Sequence, residues 1–199
     1  MSAFLGPIHI WLYNKIKFQD EMTSAVLDLA EENGRLELRS VAAGRYGELP
    51  EGNLEDLIDT GNIHGWLQEK VGVVENRLAF AVTAFAGDDG KKLDSVKEAI
   101  FRLGEKHPVE EGTTLKEAYD HLENTLLNGM PCDRVNELAE NSPEKLVWRQ
   151  TRDIHAPYWE ENQGNPENYH MLRASLIEGM MKNSGIAFSR AGELYELKK

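Results

Sequence analysis

Cysteine is nearly absent from this chain of 199 residues, which contains one, Cys132. A single thiol excludes an internal disulfide framework and predicts a reducing, cytoplasmic location. The N-terminus has no basic segment followed by an apolar core, so we expect no signal peptide. The longest apolar stretch, 78–86, is much shorter than the roughly 20 residues of a membrane helix, so no membrane partner is predicted.

Basic patches are also missing from a chain whose net charge is −12. Its lysine pairs at 91–92 and 198–199 are isolated, so we expect the acidic surface to repel nucleic acid. The charge therefore predicts that nucleic acid is not a partner. Motifs with well-known chemistry are absent as well. The sequence has no glycine-rich phosphate loop, no Cys-x-x-Cys pair, no His-Glu-x-x-His and no nucleophile elbow.

The chain does contain a repeated segment. Residues 6–16 return as residues 61–71 with the shared pattern G-x-I-H-x-W-L-x-x-K-[IV], and the match extends, with one insertion, over 6–34 and 61–90. Duplication is one interpretation of this repeat. The other is coincidence, since amphipathic helices share the spacing of their apolar residues.

Helical periodicity dominates most of the sequence and β-type alternation its last third. Pro7 suits a first helical turn and Gly34 a helix end. We predict a mainly α fold, a helical bundle with a small C-terminal antiparallel β element made of one strand at 145–154 and a hairpin at 186–197. The expected organisation is a bundle over 1–130 and an α+β element over 131–199 within one domain. Helices are predicted at about 7–33, 63–86, 94–106, 114–128, 131–141 and 166–183.

His9 and His64 are the paired histidines of the repeat. Each is predicted beside the apolar stripe of its helix, where an imidazole can face a crevice between helices. If the rings converge, they can bind a divalent metal, with His170 of a Glu-x-x-His sequence as a further ligand. Trp11 and Trp66 would then line the cofactor site. Alternatively, each imidazole bonds a nearby carbonyl and each indole packs.

A second polar and aromatic cluster lies near residue 155. On a strand, Asp153 and His155 would face the same side, so the carboxylate can orient the imidazole for catalysis. Tyr158 completes the predicted catalytic set, and Trp159 supplies an apolar wall for a cofactor or ligand. The alternative is an edge strand with exposed charges and a core tryptophan.

Two functional hypotheses follow from these patterns. The first is a cytoplasmic helical protein that binds a metal ion or small ligand in an inter-helix crevice, as a metal-dependent hydrolase or oxidase if it is an enzyme. The second is a non-catalytic regulatory or assembly module that acts as a homo-oligomer, with structural histidines. The suspected cofactor is a divalent metal, and the expected partners are a small molecule and a second copy of the chain.

Overall fold

Helices form most of the molecule, as the sequence predicts. The structure is a computed structural model that describes residues 4–199. Its α-helices are α1 (Pro7–Glu32), α2 (Glu37–Tyr46), α3 (Leu54–Leu57), α4 (Ile63–Ala86), α5 (Gly90–Glu105), α6 (Leu115–Thr125), α7 (Ala156–Glu161) and α8 (Pro166–Met181). The strands are β1 (Asn136–Asn141), β2 (Lys145–Gln150), β3 (Ala187–Ala191) and β4 (Leu194–Lys198), which form one antiparallel sheet. The predicted mainly α fold with a C-terminal β element is confirmed.

The two long helices α1 and α4 pack side by side and run in the same direction. His9 lies opposite His64 near their N-termini, and Asp20 lies opposite Arg77 further along, with 3.5 Å between Oδ1 and Nε. Their facing surfaces are apolar, so each helix buries its stripe against the other. The buried side chains of this interface include Leu12, Ile16, Leu67 and Val71.

Helices α5 and α8 meet through a pair of glycines. A Cβ atom added to Gly104 would lie 2.2 Å from the carbonyl oxygen of Leu176, and one added to Gly179 would lie 2.1 Å from that of Phe101. The two backbones therefore touch at this point, because no side chain separates them. The close approach holds α8, which carries His170, against the helical part of the molecule.

The sheet has the strand order β1-β2-β4-β3 and differs from the prediction in two places. Residues 136–141 form strand β1 rather than the end of a helix, since the helix that Pro131 opens is a 3-10 turn ending at Asp133. The strand predicted at 145–154 ends at Gln150. Beyond Gln150 the chain bends, and Oδ1 of Asp153 accepts hydrogen bonds from the backbone N–H groups of His155 and Ala156 at the start of α7.

One apolar core joins the helices to the sheet. It includes Val26 of α1, Ile100 of α5, Trp148 of β2 and Met180 of α8, all at most 1% exposed. Trp148 stacks on Tyr195 across the β2–β4 pair, with ring centroids 5.3 Å apart. None of the helices within residues 4–199 is both long and apolar enough to cross a bilayer.

Candidate functional site

The N-terminal ends of α1 and α4 enclose a cavity of about 220 Å³, which we call the helical crevice. His9 is 5% exposed, and its Nε2 lies 3.4 Å from Nε2 of the exposed His64. The structure thus brings together the two histidines of the repeated segment. The walls of the helical crevice are otherwise mostly apolar: Ile8, Leu12, Leu67, Met130, Pro131 and Cys132.

The backbone fixes the tautomer of His9. Nδ1 of His9 accepts a hydrogen bond of 2.9 Å from the N–H of Gly6, the residue before α1. His9 is the third helical residue, so its ring caps the helix as the side chain of a capping box does. A nitrogen that accepts a hydrogen bond carries no proton, so the proton of neutral His9 lies on Nε2 and points at His64.

This arrangement fits a metal ion poorly. A His that binds a metal through Nε2 carries its proton on Nδ1, where it usually donates to an acceptor, whereas Gly6 presents a donor to Nδ1 of His9. A catalytic zinc ion also needs about three protein ligands. Within residues 4–199, no group of three or more His, Cys, Asp or Glu side chains is placed to hold a metal. His170, the predicted third ligand, lines a different cavity.

The three tryptophans predicted to line a ligand site do not line the helical crevice. The Nε1 of Trp11 donates to Oδ1 of Asn124 at 2.9 Å, and the ring of Trp66 packs 5.6 Å from that of Tyr13. Trp159 is fully buried in the core. It lines neither the helical crevice nor the cavity that holds His170, and its place in a ligand wall stays a prediction.

A second cavity of about 280 Å³ lies between the sheet and the start of α8, and we call it the sheet-side cavity. Its central feature is a hydrogen bond between His170 and Asp153, whose Nε2 and Oδ2 are 2.7 Å apart. Oδ1 of Asp153 accepts from the N–H groups of His155 and Ala156, at 2.9 and 3.0 Å. The carboxylate therefore has a fixed orientation, and it orients the imidazole in turn.

The remaining nitrogen of His170 faces the sheet. Its Nδ1 lies 3.4 Å from the hydroxyl of Tyr195, and that hydroxyl lies 3.1 Å from Oε1 of Gln150. Tyr195 and Gln150 are 1% and 4% exposed, yet both line the sheet-side cavity. Nε2 of Gln150 is buried and has no hydrogen-bond partner among the described residues. A chain of polar groups thus runs from Asp153 through His170 to Tyr195 and Gln150.

Opposing effects act on the acidity of Asp153. Partial burial by itself raises the pKa of the carboxyl group, since it disfavours the charged form. The hydrogen bonds from His170, His155 and Ala156 stabilise the carboxylate and outweigh burial. The pKa of Asp153 is therefore held well below its ordinary value, and the side chain is ionised at neutral pH.

The predicted pairing of Asp153 with His155 is wrong. Nδ1 of His155 instead lies 2.9 Å from Oε1 of Glu75 on α4, and both side chains are 1% exposed. The chain turns after Gln150, so residues 153 and 155 do not share a strand face. Tyr158 lies half-buried on α7, and burial, followed by the negative charge of Glu75, raises the pKa of its hydroxyl. It does not line the sheet-side cavity.

Three polar residues, two of the polar chain and one paired with His155, were not predicted from the sequence. Gln150 and Tyr195 lie on the inward faces of β2 and β4, which alternation alone could have indicated. Glu75 lies on the buried side of α4, and a carboxylate among apolar residues is itself a signal because Glu is rarely buried without a partner.

Comparison of the chain with family models, with curated proteins and with solved structures found no match to any of them.

Proposed function

We propose that the protein binds a small amphipathic molecule in the helical crevice, with the paired imidazoles of His9 and His64 as the polar recognition groups. The observation that carries the proposal is the 3.4 Å contact between their Nε2 atoms at the edge of an apolar cavity. Two polar rings beside an otherwise apolar wall match the usual composition of a small-molecule pocket.

The size of the helical crevice supports a ligand with an apolar body. An apolar cavity of about 150 Å³ holds a benzene-sized molecule, and the helical crevice measures about 220 Å³. Its apolar side chains would contact that body. Burial of apolar surface then supplies the affinity at about 25 cal/mol for each Å² removed from water.

The polar end of the ligand is proposed to be an electron-rich group such as a carboxylate. His9 presents an N–H towards His64, and protonation of His64 adds a second N–H at the same place. The N-termini of α1 and α4 also lie here, and the positive ends of helix dipoles favour anions over cations. A carboxylate oxygen placed beside the two Nε2 atoms can accept from both.

A divalent metal is the competing occupant of the helical crevice. The separation of 3.4 Å between the two nitrogens is compatible with shared ligation at metal–nitrogen distances of about 2 Å. The hydrogen bond from Gly6 to His9 and the converging helix N-termini favour the organic anion instead.

A homo-oligomeric assembly role, the other hypothesis, stays a prediction. Light scattering of the purified protein, which measures its molar mass in solution, tests it.

Calorimetric titration with three probes tests the proposal: hexanoate, hexylammonium and Zn²⁺. We expect hexanoate to bind, hexylammonium to bind at least tenfold more weakly, and His64→Gln to weaken hexanoate binding. His121→Gln, a histidine outside both cavities, is the matched control and should leave binding unchanged. Saturable Zn²⁺ binding that His64→Gln abolishes, without hexanoate binding, would replace the proposal with a metal site.

A further inference from the structure

The sheet-side cavity contains a second constellation, which is independent of the helical crevice. Asp153, His170, Tyr195 and Gln150 form a continuous polar chain, and all four line the cavity. They come from the turn before α7, from α8, from β4 and from β2. Such convergence of a carboxylate, an imidazole and a hydroxyl is an arrangement that proton-transfer catalysis can use.

We propose that the sheet-side cavity is an acid–base catalytic site, in which Tyr195 exchanges a proton with a small neutral substrate and His170 holds that proton inside the protein. Tyr195 and His170 are the catalytic residues. Asp153 is a positioning residue, because it acts on the imidazole and not on the substrate.

The hydrogen-bond geometry provides two proton states for the chain. In both, Nε2–H of His170 donates to the carboxylate of Asp153. When His170 is neutral, its Nδ1 accepts the proton of the Tyr195 hydroxyl. When His170 is charged, its Nδ1–H donates to Tyr195, whose hydroxyl then donates to Oε1 of Gln150. The second state holds one proton more than the first, and the Tyr195 O–H turns from His170 to Gln150 when the ring takes up that proton.

The proton-transfer step balances without another reactant. The proton of a substrate hydroxyl or of a water molecule passes to the oxygen of Tyr195 as the Tyr195 proton passes to Nδ1 of His170. An oxyanion then stands on the substrate or water, and an imidazolium stands beside the Asp153 carboxylate, which stabilises it. The reverse transfer returns the proton to the product and restores the neutral ring.

The charges around the cavity indicate a neutral substrate. Arg152 is paired with Asp133 at 2.6 Å, and Arg190 is paired with Glu167 at 2.6 and 3.2 Å. Both guanidinium groups of the cavity wall thus already have a carboxylate partner, although Nε of Arg190 is buried without a hydrogen-bond partner among the described residues. The carboxylates of Asp153 and of Glu193, which also lines the cavity, would repel a bound anion.

Gln150 supplies the recognition group for that substrate. Its Nε2 is a buried donor without a partner among residues 4–199, and it lines the cavity through a side chain that is 4% exposed. A buried donor gains most from an acceptor that the ligand brings. A carbonyl or ester oxygen is such an acceptor. We therefore expect small esters, amides or hydroxycarbonyl compounds, within a volume of about 280 Å³.

The binding part of the test uses two isosteric probes of different charge, neutral acetamide and anionic acetate. NMR spectra of the full chain should show that acetamide shifts the side-chain amide signals of Gln150 and that acetate does so at least several-fold less. Hexanoate should leave these signals unchanged, so that the outcome is separate from binding in the helical crevice. Larger shifts with acetate than with acetamide would overturn the assignment of a neutral ligand.

The catalytic part measures hydrolysis of 4-nitrophenyl acetate, a neutral ester, in which water adds to the carbonyl and 4-nitrophenol leaves. Positioned acid–base groups contribute about 10²- to 10⁴-fold, so Tyr195→Phe and His170→Gln should each lower the rate by at least about tenfold. Asp153→Asn should change the pH profile of the rate, which a purely structural role would not do. His121→Gln should retain the parental rate.

Tyr195→Phe removes a single oxygen atom from a core ring, so its fold can be verified by thermal melting before the rate is compared. A folded Tyr195→Phe protein with a rate within twofold of the parent would overturn the relay. The same conclusion would follow if His170→Gln and His121→Gln reduced the rate equally, because the hydrolysis would then come from histidines in general and not from the sheet-side cavity.

Discussion

Glu75 and His155 form a buried pair, with Oε1 of the carboxylate 2.9 Å from Nδ1 of the imidazole and both side chains 1% exposed. They are 80 positions apart in the sequence and connect α4 to the start of α7. The imidazole also stacks on Tyr169 of α8, with ring centroids 3.7 Å apart. The pair therefore joins three helices at one point of the core.

Removal of one partner from this pair should be costly. Glu75→Leu leaves a buried imidazole without its acceptor, and we expect a loss of about 2 to 4 kcal/mol in the free energy of unfolding, measured in urea. Glu69→Gln, at an exposed position of the same helix, should change stability by less than about 0.5 kcal/mol. The double variant Glu75→Leu/His155→Phe should recover part of the loss, and a strictly additive result would contradict a coupled pair.

The glycine contact between α5 and α8 should tolerate no side chain. Gly179→Ala places a methyl group 2.1 Å from the carbonyl oxygen of Phe101, so the helices must separate. We expect a loss of about 1 to 3 kcal/mol, seen as a lower melting temperature. Gly72→Ala is the matched control, because this helical glycine has open space around it and should gain up to about 1 kcal/mol. Equal effects of the two changes would contradict the close approach.

Asp153 should make stability depend on pH in acid. The pKa of Asp153 is lower in the folded protein than the value of about 3.9 in an unfolded chain. The contribution of Asp153 to the free energy of unfolding is therefore present above about pH 4 and is lost as the pH falls further. Asp153→Asn should cost about 1 kcal/mol at pH 7, since the side chain is one-third exposed and solvent screens its charge. The difference from the parent should shrink between pH 4 and pH 2 in urea titrations; a constant difference would refute this linkage.

Lys15 should destabilise the protein at neutral pH. Burial lowers its pKa to about 8, although nearby Glu123 opposes that shift, and its ammonium lies 4.0 Å from the centroid of the Trp11 ring. The folded state therefore loses the proton of Lys15 near pH 8, whereas the unfolded chain keeps it to about pH 10.4. The free energy of unfolding should therefore rise as the pH rises from about 8 to about 10.4. Lys15→Met should stabilise by about 2 kcal/mol at pH 7 and by less at pH 10.

Lys70 occupies the equivalent place in the second repeated segment and provides the control for Lys15. Its ammonium lies 5.2 Å from the ring of Trp66 and pairs with Glu69 at 2.9 Å. Lys70→Met should therefore change stability by less than about 0.5 kcal/mol at either pH. Stabilisation by Lys70→Met that equals the effect of Lys15→Met would show that the effect does not depend on the deeper burial of Lys15, which is 3% exposed against 14% for the Lys70 side chain.

The sequence predicts the long helices α1 and α4 well because their ends are marked by local chemistry, whereas α2 and α7 were not predicted and the helix predicted at 131–141 is absent. Pro7 opens α1, and Asn62 caps α4 through a hydrogen bond to the N–H of Gly65. Strand β1 was missed because Pro131 and Asp133 also suit a helix start, and sheet pairing with β2 overrides that preference.

The sequence predicts the histidine pair of the helical crevice but not the polar chain of the sheet-side cavity. His9 and His64 are found from the repeat and helical spacing alone, because both lie near the starts of two long helices. The pairing of Asp153 with His170 depends on a turn and on the packing of α8 against α5. Tertiary packing of this kind leaves no periodic signal in the sequence.

The order of synthesis on the ribosome has a consequence for the sheet-side cavity. Its wall includes Arg190 and Tyr195, which belong to the final hairpin of β3 and β4. The helical crevice, by contrast, needs no residue beyond Cys132. A growing chain can therefore complete the crevice while the proton relay still lacks its tyrosine. The acid–base site acquires its last group only after the hairpin has left the exit tunnel and paired with β2.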